Sequence, residues 1–292
     1  MKRSDIIATL AAGAVTLLNC CLAPAQEQAA AQPTLRGQQF HLRSQERMGL
    51  LIPLYVYPAK PETNVAWNKV AEMKRKYPEI PMWVIVNPAS GPGQRVDPNY
   101  TRAIDRLHGA GCVTLGYVST NYAKRSAEDV QKDVSKWREL YPKVLGIFFD
   151  EMVNADKAEP AAYQTQLSAA AHAAGYWPTV GNPGTDTPPR YFESEAADVI
   201  VIHEGDSWPS SSRLRGDSSG GDAGSPPFTR GLLLHSQKTL DAQKVKEASQ
   251  SVRWIYVTEA PFRVSDPQAA SPWDRVSEHL EATCRAILSN DR

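Results

Sequence analysis

Three acids carry the chemistry this chain can offer. Asp150 and Glu151 close the apolar run 144–151 (VLGIFFDE), and Glu204 closes a second run, 198–204. Carboxyl groups that share a partly desolvated site ionise at different pH, so one can hold a proton while another stays charged. Other strand-like runs end in residues of related type. Tyr55 and Tyr57 end the first, Asn87 ends the second before a PASGPG turn, and Tyr117 ends the third with Tyr122 and Arg125 just beyond. Asn182 follows the fifth, Trp208 follows the sixth, and Tyr256 and Glu259 close the eighth. Aromatic rings take the apolar face of a pyranose, and amides and acids bond its hydroxyls, so this crown suits a sugar. Glycosidic cleavage needs one carboxyl group to protonate the leaving oxygen and a second to stabilise or attack the anomeric carbon. Taken singly, Asp150 reads as a helix cap and Glu204 as a loop acid. Together, at strand ends and inside this crown, they read as a site.

Rival chemistries lack their residues. There is no G-x-S-x-G elbow between a strand and a helix, since the match at 216–220 falls inside a Ser/Gly-rich stretch, and there is no H-E-x-x-H, no C-x-x-C, and no glycine-rich turn opening a helix for a dinucleotide. The stretch Ser90-Gly91-Pro92-Gly93 is interrupted by proline and followed by a separately capped helix, which makes it a turn. Asp150, Glu151 and His203 have metal-ligand types, but along strand six Ile200, Ile202 and Glu204 share one face and His203 the other, so His203 points away from the acids. No metal and no cofactor is expected. Formal net charge is zero, which gives no pull towards nucleic acid or an anionic membrane.

The elements that must position the acids follow from periodicity. Apolar runs at 49–57, 81–87, 113–119, 144–150, 177–181, 198–204, 231–235 and 253–258 are apolar on both alternating faces, as in parallel strands covered by helices. Between them lie helical signals. Asp97 with Pro98 starts one that glycines 109 and 111 stop. Ser126 with Asp129 forms a capping box ahead of Val130, Val134 and Trp137, and Pro142 follows the end of that helix. Pro160 opens the next and Gly175 closes it; Ser271-Pro272 opens the last, with Val276, Leu280 and Cys284 on one face. Eight such repeats over roughly 240 residues predict an α/β fold, a single (β/α)8 TIM barrel whose strand ends converge on one face. Residues 205–230, rich in Ser, Gly and Pro, predict a long loop over that face without a clear helix.

Of the 292 residues, 42% are hydrophobic, enough for a sizeable core. Residues 1–25 have the form of a secretory signal: Lys2 and Arg3, an apolar run at 6–18, and Ala23-Pro24-Ala25 as cleavage site. Asn19 before Cys20 fits lipoprotein processing poorly, so soluble export, periplasmic or extracellular, is expected. The apolar run is shorter than the ~20 residues a membrane helix needs. Residues 26–47 form a polar lead-in and the barrel occupies 48–292. Cleavage leaves Cys112 and Cys284, on elements expected to lie apart, as buried free thiols.

The motifs PLYVYP, VIVNPASGPG, LGYVSTNYAKR, GIFFDE and NPGT, in this order between residues 49 and 258, resemble the spherulin-4-like family, which includes glycoside hydrolase family 135. The resemblance implies a (β/α)8 barrel related to endo-α-1,4-polygalactosaminidases, which cut secreted polymers of N-acetylgalactosamine or galactosamine. It places catalytic acids at Asp150, Glu151 and Glu204. The aspartate of the family's VTD motif is Glu259 here. In an α-linked 2-acetamido sugar the acetamido group is cis to the leaving oxygen and cannot attack from behind, so a protein carboxylate must. Asp150 is then the nucleophile, Glu204 the general acid and base, and Glu151 an orienting neighbour, in a monomer acting on polysaccharide. The alternative is a secreted carbohydrate-binding or surface protein on the same barrel, without turnover.

Overall fold

The computed structural model describes residues 47–60, 62–216, 225–262 and 271–289. The expected signal sequence, and the lead-in as far as residue 46, lie outside these. Eight parallel strands close in chain order: β1 (Gly49–Leu54), β2 (Met82–Val86), β3 (Val113–Ser119), β4 (Gly146–Asp150), β5 (Thr179–Asn182), β6 (Val199–Gly205), β7 (Arg230–Leu234) and β8 (Trp254–Val257), with β8 pairing back to β1. The chain is a (β/α)8 barrel. Every residue of β1, β2 and β8 is buried, which is why these segments read as continuous apolar runs. Near the strand starts, Trp83 and Trp254 stack with ring centroids 3.4 Å apart and fill the end of the barrel opposite the acids.

Helices cover the outside: α1 (Val65–Lys76), α2 (Pro98–Ala110), α3 (Ala127–Leu140), α4 (Ala158–Ala173), α5 (Pro189–Glu193), α6 (Ser211–Leu214), α7 (Ala242–Ala248) and α8 (Leu280–Leu288). The caps are those the sequence displays. Asp97 accepts from Asn99 N, left-handed Gly111 ends α2, and Ser126 accepts from Asp129 N. Helix α3 buries Val130, Val134 and Trp137, and the Trp137 indole donates to Tyr117 O at 3.0 Å. That approach requires glycine at 116, where a Cβ would meet the Trp137 ring at 2.5 Å.

Several boundaries differ from expectation. Strand β1 ends at Leu54, so Tyr55 and Tyr57 stand on the loop beyond it. Pro160 is the third residue of α4, which begins at Ala158; the first turn has no intrahelical use for the N–H that proline lacks. The last helix begins at Leu280 and not at Ser271-Pro272. Residues 271–279 instead spend their backbone groups on the barrel: Tyr55 N donates to Trp273 O at 2.9 Å, Ser277 N to the Tyr256 hydroxyl at 2.9 Å, and Glu278 N to Glu259 at 3.0 Å. After β6 the chain forms the short α6 and a 3-10 turn, Pro227–Thr229, where no helix was expected; residues 217–224 lie outside the described part. Cys112 and Cys284 are free and buried, and burial pushes each thiol up to about 12.

Gly116→Ala is expected to destabilise the barrel by about 1–3 kcal/mol, the usual cost of overpacking a filled interior. A urea midpoint equal to that of the parent would show that the Trp137 contact yields without cost.

Candidate active site

Asp150 is the last residue of β4, Asn182 the last of β5, and Glu204 the second-last of β6. Three neighbouring strands thus deliver three polar side chains to one end of the barrel. The Asn182 amide joins the two acids: its Nδ2 donates to Asp150 Oδ1 and to Glu204 Oε2, each at 2.8 Å. An amide nitrogen has two protons, and both are used. The Asn182 Oδ1 is buried without a partner, which the reversed amide would not improve, since an oxygen facing two carboxylates would repel both. Gly184 closes this corner in a left-handed conformation with φ 65°, where a Cβ would lie 3.3 Å from Glu204 Cβ.

Burial raises both acids, and their other partners distinguish them. Asp150 is raised first by desolvation and further by the Glu151 charge, but hydrogen bonds from the Tyr117 hydroxyl, Glu151 N and Asn182 favour its charged form. Glu204 is raised by desolvation and then by the Asp150 charge, with only Asn182 and the Trp273 indole opposing; the indole donates to Glu204 Oε1 at 3.3 Å. Asp150 thus has one more donor than Glu204 favouring its charged form. Tyr55 and Tyr117 stand edge to face, centroids 5.8 Å apart, and burial followed by the Asp150 charge holds both hydroxyls far above the usual phenol range. They stay protonated and can donate.

Glu151 has a left-handed backbone, φ 55°, and its carboxylate accepts from Ser119 Oγ. The loop after β3 fits around it. Asn121, Tyr122 and Ala123 are all left-handed (φ 48°, 53° and 63°), and Tyr122 N donates to Glu151 O at 2.8 Å while Thr120 Oγ1 donates there at 2.7 Å. A non-glycine residue held this way costs about 1–3 kcal/mol, so the three-residue turn is a concentrated strain. It leaves Tyr122 56% exposed, near enough for Glu151, Asp150 and Glu204 to raise its hydroxyl after burial does.

The barrel therefore gathers seven of the expected residues: Asp150, Glu204, Glu151, Asn182, Tyr55, Tyr117 and Tyr122. The others have different surroundings. Asn87 accepts from Gly91 N at 3.0 Å and shapes the PASGPG turn. Arg125 donates to Ser119 O and pairs with Asp133, both at 2.7 Å, propping the end of β3. Tyr256 is buried beneath Trp273, Trp208 packs against the core, and Glu259 accepts from Ser277 and Glu278. Tyr57 stands further out, bonded to Asp97 and Asn99. His203 faces away from Glu204 as expected and bonds to Ser207 O at 2.9 Å. No cluster of three or more potential metal-binding His, Cys, Asp or Glu occurs among the described residues. Sequence reasoning missed Trp273. Its only signal was a tryptophan soon after the last strand, and the helical stripe of Val276, Leu280 and Cys284 concealed it.

Residues 49–287 match the model of Spherulation-specific family 4. The chain belongs to this family. It is 32% identical to Spherulin-4 of Physarum polycephalum over 162 residues, 55% of this chain, and it spans about half the length of that relative, 46%. Among solved structures it is similar to Sph3 of Aspergillus clavatus in complex with GalNAc, with TM-score 0.66 and 26% identity, covering 82% of this chain and 97% of the other. The barrel is thus glycoside-hydrolase-like in fold.

A carboxyl group whose pKa is raised by folding makes the native state bind more protons than the unfolded chain. Its destabilising effect is absent below the unfolded value, about 4, and grows as pH rises through the raised folded value. Relative to Glu204→Gln, the parent should therefore lose stability as pH rises above about 4 in denaturant titrations. Parallel pH profiles for the two would show that Glu204 is not raised.

Proposed function

We propose that this chain is a secreted, retaining, endo-acting glycoside hydrolase that cleaves α-1,4-linked polysaccharide containing N-acetylgalactosamine or galactosamine. The observation that carries this is the shared Asn182 amide. Two carboxylate oxygens each 2.8 Å from one nitrogen can be no further apart than twice that, 5.6 Å. Retaining pairs stand ~5–5.5 Å apart and inverting pairs ~6.5–9.5 Å, with room for a water between. The GalNAc bound to the related Sph3 supports the sugar class.

Each residue then has a role consistent with its surroundings. Asp150, the better solvated by hydrogen bonds, attacks the anomeric carbon. Glu204, with fewer donors and in its neighbour's negative field, keeps its proton, gives it to the leaving oxygen, and later takes one from water. Asn182 holds the pair in register. Glu151, fixed by Ser119 and its backbone, orients substrate beside Tyr122, while the Tyr55 and Tyr117 hydroxyls donate to Asp150 or sugar. The leader-like residues 1–25 support export, and the enzyme is proposed to act as a monomer without metal or cofactor. Among the described residues no helix is long and apolar enough to cross a membrane.

The test is release of reducing ends from purified galactosamine-containing exopolysaccharide by the mature protein. Glu204→Gln should lower the rate by about 10²–10⁴-fold, the range general acid–base catalysis supplies, and Asp150→Asn should abolish turnover. Polymer that is retained by the parent protein with no new reducing ends would identify a carbohydrate-binding protein instead.

A further inference from the structure

A second concavity lies on the same end of the barrel. Between the loop after β1 and the segment leading into α8 is a pocket of about 460 Å³, within the size range of small-molecule sites. Its walls include Tyr57, Val65, Lys69, Val276 and Glu278, and none of the three acids.

Tyr57 is 55% exposed but fixed. Its hydroxyl donates to Asp97 Oδ2 at 3.0 Å and accepts from Asn99 Nδ2 at 2.6 Å, and its ring meets Tyr100 edge to face at 5.8 Å. A half-exposed aromatic ring held at both its face and its tip is ordered before any ligand arrives, which lowers the entropic cost of binding to it. Val65, at the first position of α1, is 73% exposed and extends the apolar wall. The polar groups keep unused capacity. Lys69 Nζ donates to Ser277 O at 2.9 Å and has two further protons. The Glu278 carboxylate has no hydrogen bond or ion pair among the described residues, only its backbone N–H being used.

This pocket lies close to the acids along the chain on both sides. Tyr55 stands beside Asp150, and Tyr57 is two residues on, at most about 7 Å of extended chain. Trp273 donates to Glu204, and the next residue, Asp274, lines the pocket. A polymer leaving the acid pair past Trp273 would reach it.

We propose that this pocket is a distal subsite that holds one hexosamine unit of the polymer, remote from the cleaved bond. The proposal rests on the hydrolase function above. The Tyr57 ring and the valines take the sugar's apolar face, Glu278 accepts from its amino or hydroxyl groups, and Lys69 donates to a hydroxyl. Binding energy gathered here helps to hold a long chain in place for reaction at Asp150, and a short oligomer cannot collect it.

The readout is the ratio of kcat/KM on a long galactosamine oligomer to kcat/KM on a trimer, in the mature protein, Glu278→Ala and Val65→Arg. The arginine obstructs the pocket from an exposed position, and circular dichroism checks that each variant is folded. The parent should favour the long oligomer, and each variant should lower the ratio about tenfold, the loss of one moderate contact. An unchanged ratio in variants of an active parent overturns the subsite and leaves the hydrolase standing. A parent that cleaves neither oligomer overturns the hydrolase function and the subsite with it.

Discussion

Everything at the carboxyl end of this barrel depends on how two buried carboxylates are kept close together. Left alone, Asp150 and Glu204 would repel, and the Asp150 charge is one of the causes that raise Glu204. The Asn182 amide reduces that conflict by giving one proton to each. It is neutral, so it does not discharge the pair as a lysine or arginine would, and each acid keeps its own protonation behaviour. What then separates them is the donor count: Tyr117, Glu151 N and Asn182 on one side, Asn182 and Trp273 on the other. A difference of one hydrogen bond, with the Asp150 charge beside Glu204, divides a nucleophile from a proton donor.

The scaffold explains why such an arrangement persists. Asp150 pairs in register with Asn182 across β4 and β5, and Glu204 N donates to Gly184 O just past the end of β5. The three side chains are therefore placed by sheet hydrogen bonding, with the rest of the core packed behind them. Strain is confined to the loops. The left-handed run Asn121 to Ala123 and the left-handed Glu151 support one another through backbone hydrogen bonds, so the cost of the turn is met where Tyr122 and Glu151 gain fixed positions.

Much of this could be read from the residues, and the failures have physical causes. The strands announced themselves because a parallel strand buried on both faces has no polar alternation, and the acids because a carboxylate ending such a run stands at the rim of the core. Asp97 and Ser126 behaved as caps because capping is local. Residues 271–279 misled because Val276, Leu280 and Cys284 fall at helical spacing while tertiary bonds to Tyr55, Tyr256 and Glu259 hold the first half of the segment open. A stripe of apolar residues reports burial, and here the burial came from a turn packed on the barrel. Asn87 and Glu259 lie just past strand ends and Tyr57 and Arg125 further along the loops, and spacing could not reveal that neighbouring side chains and backbone amides already engage them.

The most direct measurement is the anomeric configuration of the first-formed product, followed by proton NMR during cleavage of an α-linked galactosamine oligomer. A pair whose facing oxygens are at most 5.6 Å apart fits the retaining spacing and falls short of the inverting one, so the α anomer should appear first and mutarotate later. A β anomer appearing first would mean direct attack by water, and would contradict the assignment of Asp150 as nucleophile.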